Sequence, residues 1–311
     1  MKAYTPADFG GTNYMRQSIK LVSVGQHTRL GDILERALES VAFETVRSED
    51  FAKQDWEKQK LLFAVSGDGF GQNEALQILT RGVLGGKCHL EGAVCAVVAD
   101  AAQGGALHAD VLKLLLALNG AGCAIVGRPC VEATRDLKNL SYETGDAGTP
   151  PFELYARQAQ SLVERLTGFA PAKSDQKRLR FISALESEGA GHDWETALGR
   201  EVSALGGALA GDGETADATL LLCENARNIP DEATLRTIDG LDACALSCVV
   251  ASPRTGVDFY CMQILERACI QGACSLPPRA FTVCDGVSAV EALAVGAVFE
   301  NVRRALAALL Q

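Results

Sequence analysis

The sequence predicts an α/β protein made of two tandem, doubly wound parallel-sheet units. Three observations carry this. The 311 residues exceed the usual reach of a single hydrophobic core. Short β-branched or apolar runs alternate with longer amphipathic segments, the rhythm of parallel strands joined by crossover helices. The second half of the chain then repeats the plan of the first.

In the first half, apolar runs at 20–24, 43–46, 61–66, 93–99 and 123–127 read as strands. Helical spacing falls at 31–41, 73–84 and 107–119, with Gly120 and Gly122 as a stop signal after the last of these. A closing helix over 152–166 follows the pair Pro150-Pro151. The second half reads as strands at 180–185, 218–223, 244–251 and 279–283, with helices at 194–205, 257–269 and 288–309. Between the halves lies a polar, proline-containing stretch at 168–176. The expected organisation is an N-terminal extension over 1–19, a first domain over 20–168 and a second over 177–311. Direct alignment supports a duplication. Val97, Val98, Ala99, Gly104, Gly120 and Ala121 match Val249, Val250, Ala251, Gly256, Gly272 and Ala273 at an offset of 152, and one deletion then brings Cys123 and Arg128 onto Cys274 and Arg279.

Composition narrows the function classes. Hydrophobic residues make up 48% and charged residues 22%, enough apolar material for sizeable cores. A net charge of -10 with no Lys/Arg run gives no footprint for a nucleic-acid backbone. The polar first twenty residues and the lack of a long uninterrupted apolar window point away from export and membrane insertion, and so to a cytoplasmic protein with neither nucleic-acid nor membrane partners. The eleven cysteines are odd in number, contain no CxxC pair and sit largely in strand-like runs. They read as core residues of a reducing compartment, with no metal site.

Ligands of open parallel sheets bind beyond the carboxyl ends of the strands, at the point where strand order reverses. The loops expected there are 25–31 (GQHTRLG), 66–73 (SGDGFGQN) and 100–106 (DAAQGGA), all glycine-bearing. Glycine lets the backbone approach a planar or phosphorylated ligand closely, and free N–H groups at a helix start receive an anion. Glycine after a strand also serves as a plain turn, so each loop has a structural reading beside the functional one. The dinucleotide fingerprint G-x-G-x-x-G is absent.

These loops resemble those of the flavodoxin-like NAD(P)H-dependent FMN reductases, which carry a G-S-x-R-x-x-S phosphate loop, a glycine loop after the third strand and a Gly-Gly loop after the fourth. Gly25 and Arg29 stand near the Gly and Arg positions of the first loop at a spacing one residue longer. Gln26 and Gly31 fall near its two serines, and Thr28 offers a substitute hydroxyl. The resemblance covers about 20–140, closest through VVADAAQGGALHADVLKLLLALNGAGCAIVG. It implies two flavodoxin-like units, the first holding FMN with NAD(P)H as co-substrate and a small acceptor. The binding set would be Gly25, Gln26, His27, Thr28, Arg29, Ser66, Gly67, Asp68, Gly69, Phe70, Asp100, Gln103, Gly104 and Gly105. The catalytic residues stay open, because a flavin needs positioning more than a side-chain acid. The family builds its sites near dimer interfaces, which a fused duplication mimics; a homo-oligomer also stays open. The alternative is a non-catalytic protein that inherited the fold as a small-molecule-binding or assembly module.

The second half looks degenerate. Its first loop, 186–193, carries three carboxylates that repel a phosphate, and its 225–231 loop lacks glycine. His27 and His108 lie in or beside first-half loops, as flavin contacts or as plain surface residues. Arg128 and Arg279 recur at equivalent strand ends, either pairing across a pseudo-twofold or binding an anion.

Overall fold

The computed structural model describes residues 18–25, 28–67, 73–86, 88–101, 107–146, 148–170, 178–185, 188–211, 214–253, 256–294 and 296–309. The first half runs β1 (Ile19–Val24), α1 (Thr28–Ala37), β2 (Phe43–Arg47), α2 (Ser48–Phe51), β3 (Lys60–Ser66), α3 (Glu74–Leu84), β4 (Val94–Ala101), α4 (His108–Gly120), β5 (Ala124–Thr134), α5 (Lys138–Thr144) and α6 (Pro151–Gly168). The second runs β6 (Arg178–Ser183), α7 (Glu188–Ala204), β7 (Ala208–Leu209), β8 (Ala218–Glu224), α8 (Glu232–Asp239), β9 (Ala245–Ser252), α9 (Val257–Leu265), β10 (Phe281–Asp285), α10 (Ala289–Ala294) and α11 (Gly296–Leu309). A π-helical stretch, Glu266–Gln271, prolongs α9.

Among the described residues these strands form two five-stranded, all-parallel sheets, ordered β2-β1-β3-β4-β5 and β10-β9-β8-β6-β7. Numbered within its own half, each sheet has the order 2-1-3-4-5. The central strands show why. β3 (KLLFAVS) and β4 (VCAVVADA) are buried at every residue, the mark of parallel strands covered on both faces. One face of the first sheet packs on α1 and α6 through Leu30, Ile33, Leu34, Leu154, Leu162 and Leu166. Its other face packs on α3 and α4, and that core continues without a break into the second sheet.

The shared core joins Val97, Leu114 and Leu118 to Leu221, Cys248, Val250, Tyr260 and Ile264, with α4 lying against α9. The far face of the second sheet is closed by Trp194, Leu198 and Val202 of α7 and by Val302 and Leu306 of α11. Ile125 and Leu276 exchange backbone hydrogen bonds of 2.8 Å in each direction, forming an antiparallel bridge between the halves. Buried Asn119 ties the same seam: its Nδ2 donates to the carbonyls of Cys123 (3.0 Å) and Pro277 (2.7 Å), and its Oδ1 accepts from Ala280 N at 2.9 Å.

The strand ladders correct the alignment of the halves. Asp100 pairs with Ser66, the last residue of β3, as Ala251 pairs with Glu224, the last residue of β8. Val94 pairs with Ala124 as Ala245 pairs with Ser275. β4 and β9 therefore match end to end at a separation of 151, and the offset of 152 slips the register by one. Such a slip exchanges the faces of a strand. Val97 and Cys248 both point into the shared core, whereas Val249 points to the outer one. At the true separation Ile125 and Leu276 are equivalents, so the seam joins each half to its counterpart.

Two boundaries differ from those expected, the first being α7, which starts at Glu188 rather than 194 and takes in most of the expected 186–193 loop. β5 does not stop at 127; it bulges where its register on β4 shifts, with Arg128 in the left-handed region (φ 50°), and runs on to Thr134. Arg279 has the matching φ of 54°. Both arginines serve the seam, Arg128 Nε donating to Gly272 O at 3.2 Å and Arg279 pairing with Glu91 at 2.8 Å. Strand β7 and helix α8 are elements that the sequence reading did not place. No helix among the described residues is long and apolar enough to cross a membrane.

Candidate functional site

The chain leaves β1 into α1 on one face of the first sheet and leaves β3 into α3 on the other, so the strand order reverses between β1 and β3. Gly25 follows β1 directly with φ 88°, and a Cβ there would stand 2.5 Å from Ser66 Oγ. A left-handed backbone pressed against the end of β3 accepts only glycine at that position. Asn73 locks the other side. Its Nδ2 donates to Val24 O at 3.1 Å and Ser66 O at 2.5 Å, and its Oδ1 caps α3 by accepting from Leu76 N at 2.8 Å.

Arg29, in the first turn of α1, reaches across the carboxyl edge of the sheet. Its Nε and Nη2 fork onto Asp100 at 2.8 and 2.5 Å, and its Nη1 and Nη2 donate to the carbonyls of Arg135 (2.9 Å) and Thr134 (3.0 Å) at the end of β5. The Asp100 side chain is fully buried, so this charge-assisted pair ties α1 to β4 and to the end of β5. The expectation that Arg29 faces a phosphate thus meets a guanidinium already committed to a carboxylate. Tyr155 of α6 donates to Ala99 O at 2.9 Å beneath the pair, and burial pushes its phenol well above its ordinary pKa.

Thr28, Ser66 and Gly67 complete the described part of the edge. Gly67 N donates to Asp100 O at 2.9 Å, and the space above its Cα is bounded by Leu107, 3.0 Å from where a Cβ would lie. Of the residues predicted to bind a cofactor, Gly25, Thr28, Arg29, Ser66, Gly67 and Asp100 gather at this edge. Gln26, His27, Asp68, Gly69, Phe70, Gln103, Gly104 and Gly105 lie outside the described residues.

A second polar group stands at the start of α4. Glu132 of β5 accepts from Leu107 N at 2.9 Å through Oε1 and approaches His108 Nδ1 at 3.1 Å through Oε2. His108 Nε2 lies 3.2 Å from Glu266 of the other half. Hydrogen bonding to Glu132 outweighs desolvation, and with the Glu266 contact it raises His108 to about 9. Glu143 nearby is raised by burial. Glu132 could have been found as a carboxylate set between apolar Val131 and Ala133; Glu266 had no local signal.

The second half is built differently at the equivalent edge. Asn225 N donates to Ala251 O at 2.8 Å, the counterpart of the Gly67 bond, so Asn225 stands where the first half has glycine. Its side chain is fully buried, donating to Ser252 Oγ at 3.1 Å and accepting from Asn228 N at 2.8 Å. Asp231 caps α8 as Asn73 caps α3. Elsewhere Asp55, Glu57 and His89 converge at the surface, all exposed, with Asp55 Oδ1 already bonded to Glu57 N and His89 Nδ1 at 3.0 Å. No family model matches this sequence, and no curated protein matches it.

Proposed function

We propose that the first half is a flavodoxin-like FMN-binding unit of an NAD(P)H-dependent oxidoreductase acting on a small acceptor, and the second a flavodoxin-like partner with a closed site. The order 2-1-3-4-5 is that of doubly wound sheets whose flavin sits at the switch between first and third strands. The observation that carries the reading is the contrast at that switch. Gly67 adds no side chain of its own at the switch, where Leu107 covers it, whereas the equivalent Asn225 carries a buried amide.

The chain's own groups fit a phosphorylated ligand. Gly25 and the start of α1 present backbone amides and a helix N-terminus to a phosphate, with Thr28 as a hydroxyl donor. Arg29 and Asp100 act as a brace that fixes the edge, so the phosphate is received by backbone. Bound FMN would supply hydride acceptance from a nicotinamide and its delivery onward.

A non-catalytic flavodoxin-fold protein, binding another small molecule or serving assembly, is the second reading. It is favoured by the engagement of Arg29 with Asp100, which removes its charge from the first loop. Visible spectra separate the two. Added FMN should shift and its fluorescence quench on binding, and NADPH should then bleach it. Flavin that keeps its free spectrum in the presence of the protein overturns the proposal.

A further inference from the structure

All eleven cysteines are free, and only Cys88, Cys130 and Cys244 are partly exposed. Cys244 differs from the other two. Its Sγ lies 3.9 Å from Sγ of buried Cys274 and 3.5 Å from Thr219 Oγ1. The two cysteines immediately precede Ala245 and Ser275, which pair in parallel, and Ser275 N donates to Cys244 O at 2.9 Å. Neighbouring strands run about 4.8 Å apart, within the Cα separation that a disulfide spans. A disulfide then asks that the two sulfurs, 3.9 Å apart, close to about 2.05 Å.

From this geometry we infer that Cys244 and Cys274 form a reactive dithiol that hydroperoxides oxidise to an intramolecular disulfide, with Cys244 attacking and Cys274 resolving. The Cys244 thiolate attacks a peroxide oxygen. The S–O bond forms, the O–O bond breaks, and the departing hydroxide or alkoxide takes up a proton. Cys274 sulfur then attacks the sulfenic sulfur of Cys244, the S–S bond forms, the S–O bond breaks, and water leaves with the Cys274 proton. Both electrons come from the two thiols, and the peroxide is the oxidant.

The electrostatics agree. The Cys274 thiol, the Thr219 hydroxyl and the Arg180 charge stabilise the Cys244 thiolate and draw its pKa down to about 7. Burial raises Cys88, and burial with Glu132 and Glu143 nearby raises Cys130. Exposure, a low-pKa sulfur and a resolving neighbour are the marks of redox-sensitive cysteines.

The test treats the reduced full chain with one equivalent of hydrogen peroxide at pH 7.5, alkylates the remaining thiols and maps peptides without reduction. The expected product is a single disulfide between Cys244 and Cys274. In Cys274→Ser a dimedone adduct should appear at Cys244, and in Cys244→Ser Cys274 should stay reduced. On the unmutated chain, iodoacetamide should label Cys244 about tenfold faster than Cys88 at this pH, which tests the attacking sulfur even if a variant fails to fold. First oxidation at another cysteine, or labelling of Cys244 no faster than Cys88, overturns the inference.

Discussion

At the scale of single residues, the pairing of Arg29 with Asp100 decides what can be learned from mutation. A buried ion pair contributes little relative to an apolar replacement, but removing one partner strands the other. Asp100 is fully buried in β4, so Arg29→Leu is expected to destabilise the protein by about 3–5 kcal/mol in urea unfolding, and Arg29→Leu with Asp100→Leu to recover most of that loss. Additive losses would show that the two do not act as a pair. For the same reason, Arg29→Ala is a poor probe of ligand binding. Gly67→Asn reproduces the residue found in the second half; its Cβ alone would stand 3.0 Å from the buried Leu107 side chain, which must shift to admit it.

At the scale of elements, β3 and β4 were legible because burial on both faces makes them uninterrupted apolar runs. Strand β7 has two residues at a sheet edge, and α8 (EATLRTID) buries only Thr234 and Ile238, so neither carries enough periodic signal to be seen. β5 was expected to end at 127, whereas the structure carries it through a bulge at Arg128 to Thr134. The alignment of halves failed by one residue because matching Val and Ala along a strand does not sense which face each presents. Six of the fourteen predicted site residues converge at the carboxyl edge of the first sheet, a placement that strand order alone dictates. The partnership of Arg29 with a residue 71 positions away left no local trace. The last turn of α4 yields a direct check: Asn119→Ala leaves the buried N–H of Ala280 and two carbonyls without their partner, and should cost about 2–3 kcal/mol by denaturant unfolding. A loss below about 0.5 kcal/mol would show that this bonding adds nothing to the seam.

At the scale of the whole molecule, one core spans both sheets, so the halves should unfold together. Calorimetry is expected to record a single transition; two independent ones would separate the lobes. His108, clasped by Glu132 and Glu266 from opposite halves, makes the seam sensitive to pH. Its folded pKa is raised to about 9 from its ordinary value of 6.5, so its contribution is complete below about 6.5 and is lost as pH climbs through 9. A third of the side chain is exposed, and solvent screening holds that contribution to about 1 kcal/mol. In His108→Gln the stability decline between pH 6.5 and 9 should flatten; an unchanged slope would assign it to other groups. The two switch points are built unequally, with Gly67 and no side chain in the first half and buried Asn225 in the second. The direct measurement is a titration of the full chain with FMN, followed by flavin fluorescence, in the unmutated protein and in Gly67→Asn. One FMN should bind per chain and be lost in Gly67→Asn with the unfolding transition retained; two per chain, or binding that survives the substitution, would contradict the proposed pair of unequal sites.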